Sequence, residues 1–356
     1  MKRCSTSAFC NLVLIGACLP WDCVGDEIQV VAARRNVRRR TRFVAPRFVD
    51  TEDTLLALAS LTREDEDFAS RVSSYSMPNN PTTPTKPPVR EDRDILIQNK
   101  CGVTAIERSR DILTELLTVS DASALTNPYT SQFKAREWVD KNDPAIICSL
   151  NKKRIDQRYR LALLYYELGG SSWTRCKAEE DVDDSTEEEC PGNRFLDKSN
   201  ECEWYGMICG DSFNVATAEW MDAYYPLEVL NLQSNNLSGK LYKEFYDFPK
   251  LKEIFLNDNS LSGTIGEEIG NFQDVTVLQL DSNSFDGSIP EQGLFEMKKL
   301  AGLSIQENDL QGSLDELCDV MYDRRFEFES YLTLKMEADC LGNSPKVYCE
   351  CCSTCH

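Results

Sequence analysis

The sequence predicts an α/β solenoid. It should form a short horseshoe with a parallel sheet on its concave side, cysteine-rich caps at both ends and a helical region ahead of the first cap. Three observations carry this expectation. Between residues 227 and 314 the chain repeats itself as LEVLNLQSNNLSGKL, LKEIFLNDNSLSGTI, VTVLQLDSNSFDGSI and LAGLSIQENDLQGSL. Asn235, Asn259, Asn283 and Asn308 hold one position in these segments, at spacings of 24, 24 and 25 residues, a period that belongs to solenoid repeats. No cysteine falls between Cys209 and Cys318, although cysteines crowd on either side. A stacked core needs no internal bridges, whereas its two open ends do.

In chain order, residues 1–25 read as a signal peptide. Lys2 and Arg3 form a positive start, and FCNLVLIGACLPW (9–21) is an apolar core too short to span a bilayer. An organelle transit segment or a retained anchor is the alternative. Cleavage after Gly25 would leave twelve of the sixteen cysteines, and that number in one chain points to an oxidising compartment. Residues 26–90 read as a disordered linker with a basic run, RRNVRRRTR (34–42), and a Pro/Thr-rich stretch, MPNNPTTPTKPP (77–88). The arginines suit either a processing site or a plain solvated arm. No later apolar run reaches transmembrane length.

Residues 91–170 show helical periodicity. One amphipathic stretch uses Ile106, Ile112, Leu113, Leu116 and Leu117. A second follows Pro128, with Phe133, Trp138 and Val139. In the third, Ile155, Tyr159, Leu163 and Tyr166 share one stripe and Leu161, Leu164 and Leu168 another, and Gly169-Gly170 stops it. This last helix is expected to pack on the open start of the solenoid. The N-terminal cysteine cap occupies 171–212, the repeats 213–317 and the C-terminal cysteine cap 318–356.

Each repeat position has a physical task. Leu230 and Leu232, Ile254 and Leu256, Leu278 and Leu280, and Leu303 and Ile305 should point inward from a short strand. Leu237, Leu261, Phe285 and Leu310 should bury from the returning segment. The asparagines should satisfy backbone groups that the turn would otherwise leave unpaired, while Gly239, Gly263, Gly287 and Gly312 permit the tight return. The pattern L-x-x-L-x-L-x-x-N-x-L is the leucine-rich-repeat signature. LSGKL, LSGTI and FDGSIP resemble the LSGxIP element of plant-type leucine-rich repeats, and ECEWYGMIC (201–209) resembles the cap that precedes them. RYRLALLYYELGGSSW (158–173), that cap and the later CECCSTC are together similar to secreted leucine-rich-repeat proteins of diatoms and related algae. The resemblance spans roughly residues 128–356. It departs from the plant pattern in keeping the proline only at Pro290, with Tyr242, Gly266 and Asp315 elsewhere, and in a degenerate stretch from Val215 to Pro226.

In the caps, Cys202 is expected to pair with Cys209, with Trp204 against the first strand, and Cys176 with Cys190 across the acidic loop. Cys101 and Cys148 suit a bond within the helical region. LKMEAD (334–339) reads as a last, imperfect strand with Asp339 in the asparagine position. Cys318, Cys340, Cys349, Cys351, Cys352 and Cys355 then close the end, in pairings the sequence leaves open. The alternative for the tail is a zinc site completed by His356. The acidic run EEDVDDSTEEE (179–189) lacks the ordered carboxylate spacing of a calcium loop and reads as a solvated charge run. No metal and no cofactor is expected. Asn236 heads the single glycosylation sequon, Asn236-Leu237-Ser238.

The net charge of -20 argues against nucleic acid as a partner. The only histidine is the final residue, which removes histidine-based nucleophilic catalysis, and there is no phosphate-cradling glycine loop. A non-catalytic protein is therefore expected. Residues flanking the inward leucines should face outward on the concave sheet and hold a protein or peptide: Val229, Asn231 and Gln233; Glu253, Phe255 and Asn257; Val277, Gln279 and Asp281; and, beside Gly302, Ser304 and Gln306. Phe255 is an aromatic of the kind enriched at binding hot spots, or else it covers a neighbouring strand. Expected roles are cell-surface recognition or inhibition of a secreted enzyme. The alternative is a carbohydrate- or wall-associated structural protein.

Overall fold

A computed structural model describes residues 90–182, 190–210, 224–318, 335–342 and 344–356. The signal and linker expectations for 1–89 lie outside these residues, as do most of the acidic loop and nearly all of the degenerate stretch.

Among the described residues there are six α-helices: α1 Arg90–Cys101, α2 Ala105–Leu116, α3 Ala122–Thr126, α4 Ser131–Glu137, α5 Lys152–Glu167 and α6 Glu291–Glu296. Helix α2 starts on a reciprocal cap. The Thr104 hydroxyl accepts the Glu107 N–H, and the Glu107 carboxylate accepts the Thr104 N–H. Ile112, Leu113 and Leu116 of α2 are buried. Ile106, expected on the same stripe, is 70 % exposed. Arg108 takes the inward position instead, and its guanidinium donates to the carbonyls of Val139, Asp140 and Ile147. Helix α5 buries Ile155, Tyr159, Leu161, Leu163 and Leu164, with Leu168 just beyond it, and Gly169 takes the left-handed conformation that ends it.

The strands are β1 Met207–Cys209, β2 Leu227–Asn231, β3 Ser238–Lys240, β4 Glu253–Phe255, β5 Ser260–Gly263, β6 Val277–Gln279, β7 Ser284–Ser288, β8 Gly302–Ser304, β9 Asp309–Ser313, β10 Lys335–Ala338, β11 Val347–Tyr348 and β12 Thr354–Cys355. They form a leucine-rich-repeat solenoid. The main sheet runs β1-β2-β4-β6-β8-β10-β12; β1 is antiparallel to β2 and every other pair is parallel. Leu230, Ile254, Leu278, Leu303 and Met336 stand side by side in this register and are buried, as are Leu237, Leu261, Phe285 and Leu310 from the returning segments.

A second, five-stranded parallel sheet runs β11-β9-β7-β5-β3 through those returns, where the sequence reading expected only a turn. Gly239, Gly263, Gly287 and Gly312 sit on it with positive φ. A side chain at Gly239 would meet the Glu167 carbonyl oxygen at 2.6 Å, so the helical region and the first coil meet on bare backbone.

The asparagines form a ladder. The Asn259 amide nitrogen donates to the carbonyls of Leu232, Leu256 and Asn257. Its oxygen accepts the N–H groups of Asn235 and Leu237 in the preceding coil. Asn283 and Asn308 repeat this across their own coils. Asn235 extends the ladder into the N-terminal cap, accepting the Arg175 N–H and donating to its carbonyl. At the other end Met336 pairs with Leu303, which puts Leu341, not Asp339, opposite Asn308. Asp339 stands two residues early, yet its carboxylate reaches the N–H groups of Glu307 and Asn308. The acceptor follows its strand sooner here than in the other coils, and a charged carboxylate takes over the amide's task.

Among the described residues three disulfides lie ahead of the repeats, Cys101–Cys148, Cys176–Cys190 and Cys202–Cys209. Three close the C-terminus, Cys318–Cys351, Cys340–Cys355 and Cys349–Cys352. The sulfurs of Cys318, Cys349 and Cys351 lie within 4.8 Å of one another, and all are consumed in these bonds, which removes the thiolates that the alternative zinc site would need.

Candidate functional site: the concave sheet

The main sheet presents three columns of outward side chains, set by parallel pairing. Val229, Glu253, Val277, Gly302 and Lys335 form one, and Asn231, Phe255, Gln279, Ser304 and Glu337 the next. The third is Gln233, Asn257, Asp281 and Gln306. The bonds Ser234 N–H to Asn257 O, Asp258 N–H to Asp281 O and Ser282 N–H to Gln306 O carry the ladder past the strand ends. Neighbours in a column are about 4.8 Å apart.

Most of these residues are half-buried, as a sheet face open on one side requires. Ser304 and Gln306 differ, being only 5 % and 7 % exposed. They were expected to face a partner freely. Strand β10 lies directly against β8, and the Gln306 amide donates to the Glu337 carboxylate at 3.2 Å. Glu337 also accepts from the Lys335 ammonium and the Thr354 hydroxyl. The open part of the face is therefore centred on β2, β4 and β6.

Polar groups on the face are bonded locally in a one-sided way. The Asn257 amide donates to Asp258, which also accepts from the Ser234 hydroxyl, and the Ser282 hydroxyl donates to Glu307. The Asn257 and Gln306 side-chain oxygens have no partner among the described residues. Burial holds the Asp281 carboxyl above the usual aspartate range; its own backbone N–H opposes this, while the carboxylates of Asp258, Glu337 and Glu307 add to it.

The sequence reading missed a buried ionic cluster under the N-terminal cap. Two parallel hydrogen bonds, 2.9 and 2.8 Å, join Arg158 to Asp143, and a third reaches Glu201 at 3.2 Å. Arg154 and Gln157 also donate to Glu201. The Arg158 guanidinium lies over both Trp138 and Trp204, 5.2 and 4.7 Å from their ring centres. Trp204 thus packs on Trp138, Phe195 and a cation. These arginines fall where an amphipathic helix would show its polar face, so periodicity alone places them in solvent. Arg158, Asp143 and Glu201 are fully buried and mutually paired, a supporting arrangement and not an open site.

Asn236 is exposed with φ 56°, and its amide donates to the Ser172 carbonyl at 2.9 Å. Among the described residues no helix is long and apolar enough to cross a membrane.

The family model described as Leucine Rich Repeat matches residues 226–248 and 250–272. No curated protein matches the chain. Among solved structures, the chain is similar to the BIR3–SERK2 complex from Arabidopsis thaliana, at 22 % identity over 43 % of this chain and 79 % of that one, with a TM-score of 0.31. It is similar to the leucine-rich-repeat ectodomain of the Arabidopsis receptor kinase SOBIR1 at 17 % identity, over 45 % of this chain and 84 % of that one, with a TM-score of 0.29. With the structure of PEPR1–AtPEP1 it shares 28 % identity over 34 % of its own length and 15 % of that chain's, with a TM-score of 0.26.

Proposed function

We propose that the chain is a non-catalytic binding module of the extracellular space or cell surface, which holds a protein or peptide on the concave sheet. One observation carries this reading: Val229, Asn231, Glu253, Phe255, Val277 and Gln279 form a contiguous, half-buried outward patch on three in-register strands. The strands are pinned from behind by the asparagine ladder and the second sheet, so the patch is rigid before any partner arrives. A preordered surface loses little conformational freedom on binding. Phe255, between Asn231 and Gln279 in its column, supplies the apolar anchor such faces concentrate their affinity on.

The six disulfides among the described residues support an oxidising compartment, and with it export directed by residues 1–25. An exposed Asn236 supports a glycan at that position. Cell-surface recognition and inhibition of a secreted enzyme are the roles that fit a module of this size.

Substituting Phe255→Ala together with Gln279→Ala in the full chain should weaken retention of a protein or peptide ligand by about tenfold or more, since central interface residues carry most of the affinity. The thermal midpoint should be unchanged. Ligand retention unaffected by the double substitution, or retention on polysaccharide that tracks salt alone, would overturn the assignment.

A further inference from the structure

We propose that the C-terminal cap is a thiol–disulfide exchange unit, in which a low-molecular-weight thiol moves the crosslink of Cys318 from Cys351 to Cys349 and leaves Cys351 and Cys352 as a free dithiol. The sulfurs of Cys318, Cys349 and Cys351 lie within 4.8 Å of one another, although they belong to two different bonds, Cys318–Cys351 and Cys349–Cys352. Among the described residues this is the one place where a third cysteine sulfur comes so close to a disulfide. Three mutually close sulfurs can hold one bond in more than one way. Cys349 and Cys351 are two residues apart, too near along the chain for an unstrained bridge, so the second way is Cys318–Cys349.

Hydrogen bonds that need neither disulfide keep Cys349 beside Cys318. On one side of Cys349 the Tyr348 carbonyl accepts the Leu314 N–H at 2.7 Å. On the other the Glu350 N–H donates to the Asp315 carboxylate at 2.9 Å. Strand β11 also pairs with β9. Cys349 is thus laid along the segment that ends in Cys318. Cys351 leans instead on β10. Its sulfur lies 3.5 Å from the Met336 sulfur, and the Ser353 N–H donates to the Met336 carbonyl.

Access sets the order of events. Cys318 is only 8 % exposed, whereas Cys349 and Cys352 are half-buried. A small thiolate attacks the Cys352 sulfur, forms a mixed disulfide there and expels Cys349 as a thiolate. Cys349 then attacks the Cys318 sulfur, which it meets at an effective concentration no dissolved thiol reaches. Cys351 leaves and takes a proton from water. A second small thiol attacks the mixed disulfide, departs as the oxidised dimer and frees Cys352. In balance, two small thiols are oxidised to one disulfide and one protein disulfide is reduced to two thiols. Cys351 and Cys352 are adjacent and do not readily bridge to each other, and Cys318 keeps its covalent hold on the cap.

The test titrates the full-length protein with reduced glutathione, traps free thiols with iodoacetamide and maps peptides without reduction. Trypsin with glutamyl endopeptidase cuts after Glu350, between Cys349 and Cys351. Before full reduction there should be a species with Cys318 joined to Cys349, Cys351 and Cys352 both alkylated, and Cys340–Cys355 intact. The Cys318–Cys351 bond should disappear about tenfold or more faster than in the Cys349→Ser, Cys352→Ser double variant, where only direct attack remains. Cys352→Ser alone frees Cys349 from the start, so that variant as prepared should carry Cys318 bonded in part to Cys349. Three results would each overturn the proposal: no Cys318–Cys349 peptide at any thiol concentration, equal rates in parent and double variant, or a Cys352→Ser protein bonded through Cys351 alone.

Discussion

The side-chain oxygen of Asn259 accepts the backbone N–H of Leu237 at 2.9 Å, across the gap between two successive coils. The same amide donates three bonds to carbonyls of its own and the preceding coil. One side chain therefore stitches together turns that have no covalent link for more than twenty residues.

Asn259→Ala should cost about 3 kcal/mol, because it leaves buried N–H and C=O groups unpaired instead of merely removing one bond. Ser284→Ala, at an exposed position on the second sheet, should stay within about 0.5 kcal/mol. Urea unfolding followed by circular dichroism measures both, and equal effects would show that the ladder is decorative.

Glu201 accepts from Arg154, Gln157 and Arg158 with no exposure of its own. Glu201→Gln keeps the shape and removes the charge, breaking the buried ion pairs of Arg154 and Arg158 with Glu201 and leaving Asp143 to balance Arg158. A loss of about 3–5 kcal/mol is expected, and the near-ultraviolet dichroism of Trp138 and Trp204 should weaken with it. A thermal midpoint within a degree or two of the parent would refute this account.

Asp281 carries a pH signature. Its folded-state carboxyl holds a proton to higher pH than the ordinary aspartate value of 3.8. The folded state thus binds more protons than the unfolded one in the interval just above that value, and stability contributed by the proton is lost as pH rises through it. The facing groups are the carboxylates Asp258, Glu307 and Glu337, with Lys335 engaged by Glu337. Asp281→Asn should therefore match the parent below about pH 3.8 and gain stability relative to it above. A difference that shrinks with rising pH would contradict the sign.

The Cys202–Cys209 bond closes a short loop, with a sequence separation of 7. Replacing both residues with serine should cost about 2 kcal/mol, less than a bond closing a longer loop. Peptide mapping without reduction checks the pairing itself, and a Cys349–Cys352 peptide is the most discriminating product at the other end.

The solenoid was readable because its period is written in leucine and asparagine, residues whose positions tolerate few alternatives. The second sheet was not. Its strands carry a single apolar position among serines, glycines and other polar residues, as in SLSG, SFDGS and DLQGS, too little alternation to signal pairing. Arg108, Arg154 and Arg158 were hidden for a different reason: a charged residue is assigned to solvent unless its partners are known, and Asp140, Asp143 and Glu201 lie far away in sequence. At the binding face the outward residues were identifiable from alternation, but the burial of Ser304 and Gln306 depends on β10, whose register departs from the repeat at Asp339. Ile106 erred in the opposite direction, since a helix stripe predicts which side a residue takes but not that the first turn runs past the core.

Both outermost strands of the main sheet carry a cystine half: Cys209 lies in β1 and Cys355 in β12. Unguarded strand edges recruit other chains, so thiol reductants should do more here than lower a melting temperature. They would unclip both rims and leave two ready docking ladders for further molecules. Colloidal behaviour, more than foldedness, would then report the redox history of a sample.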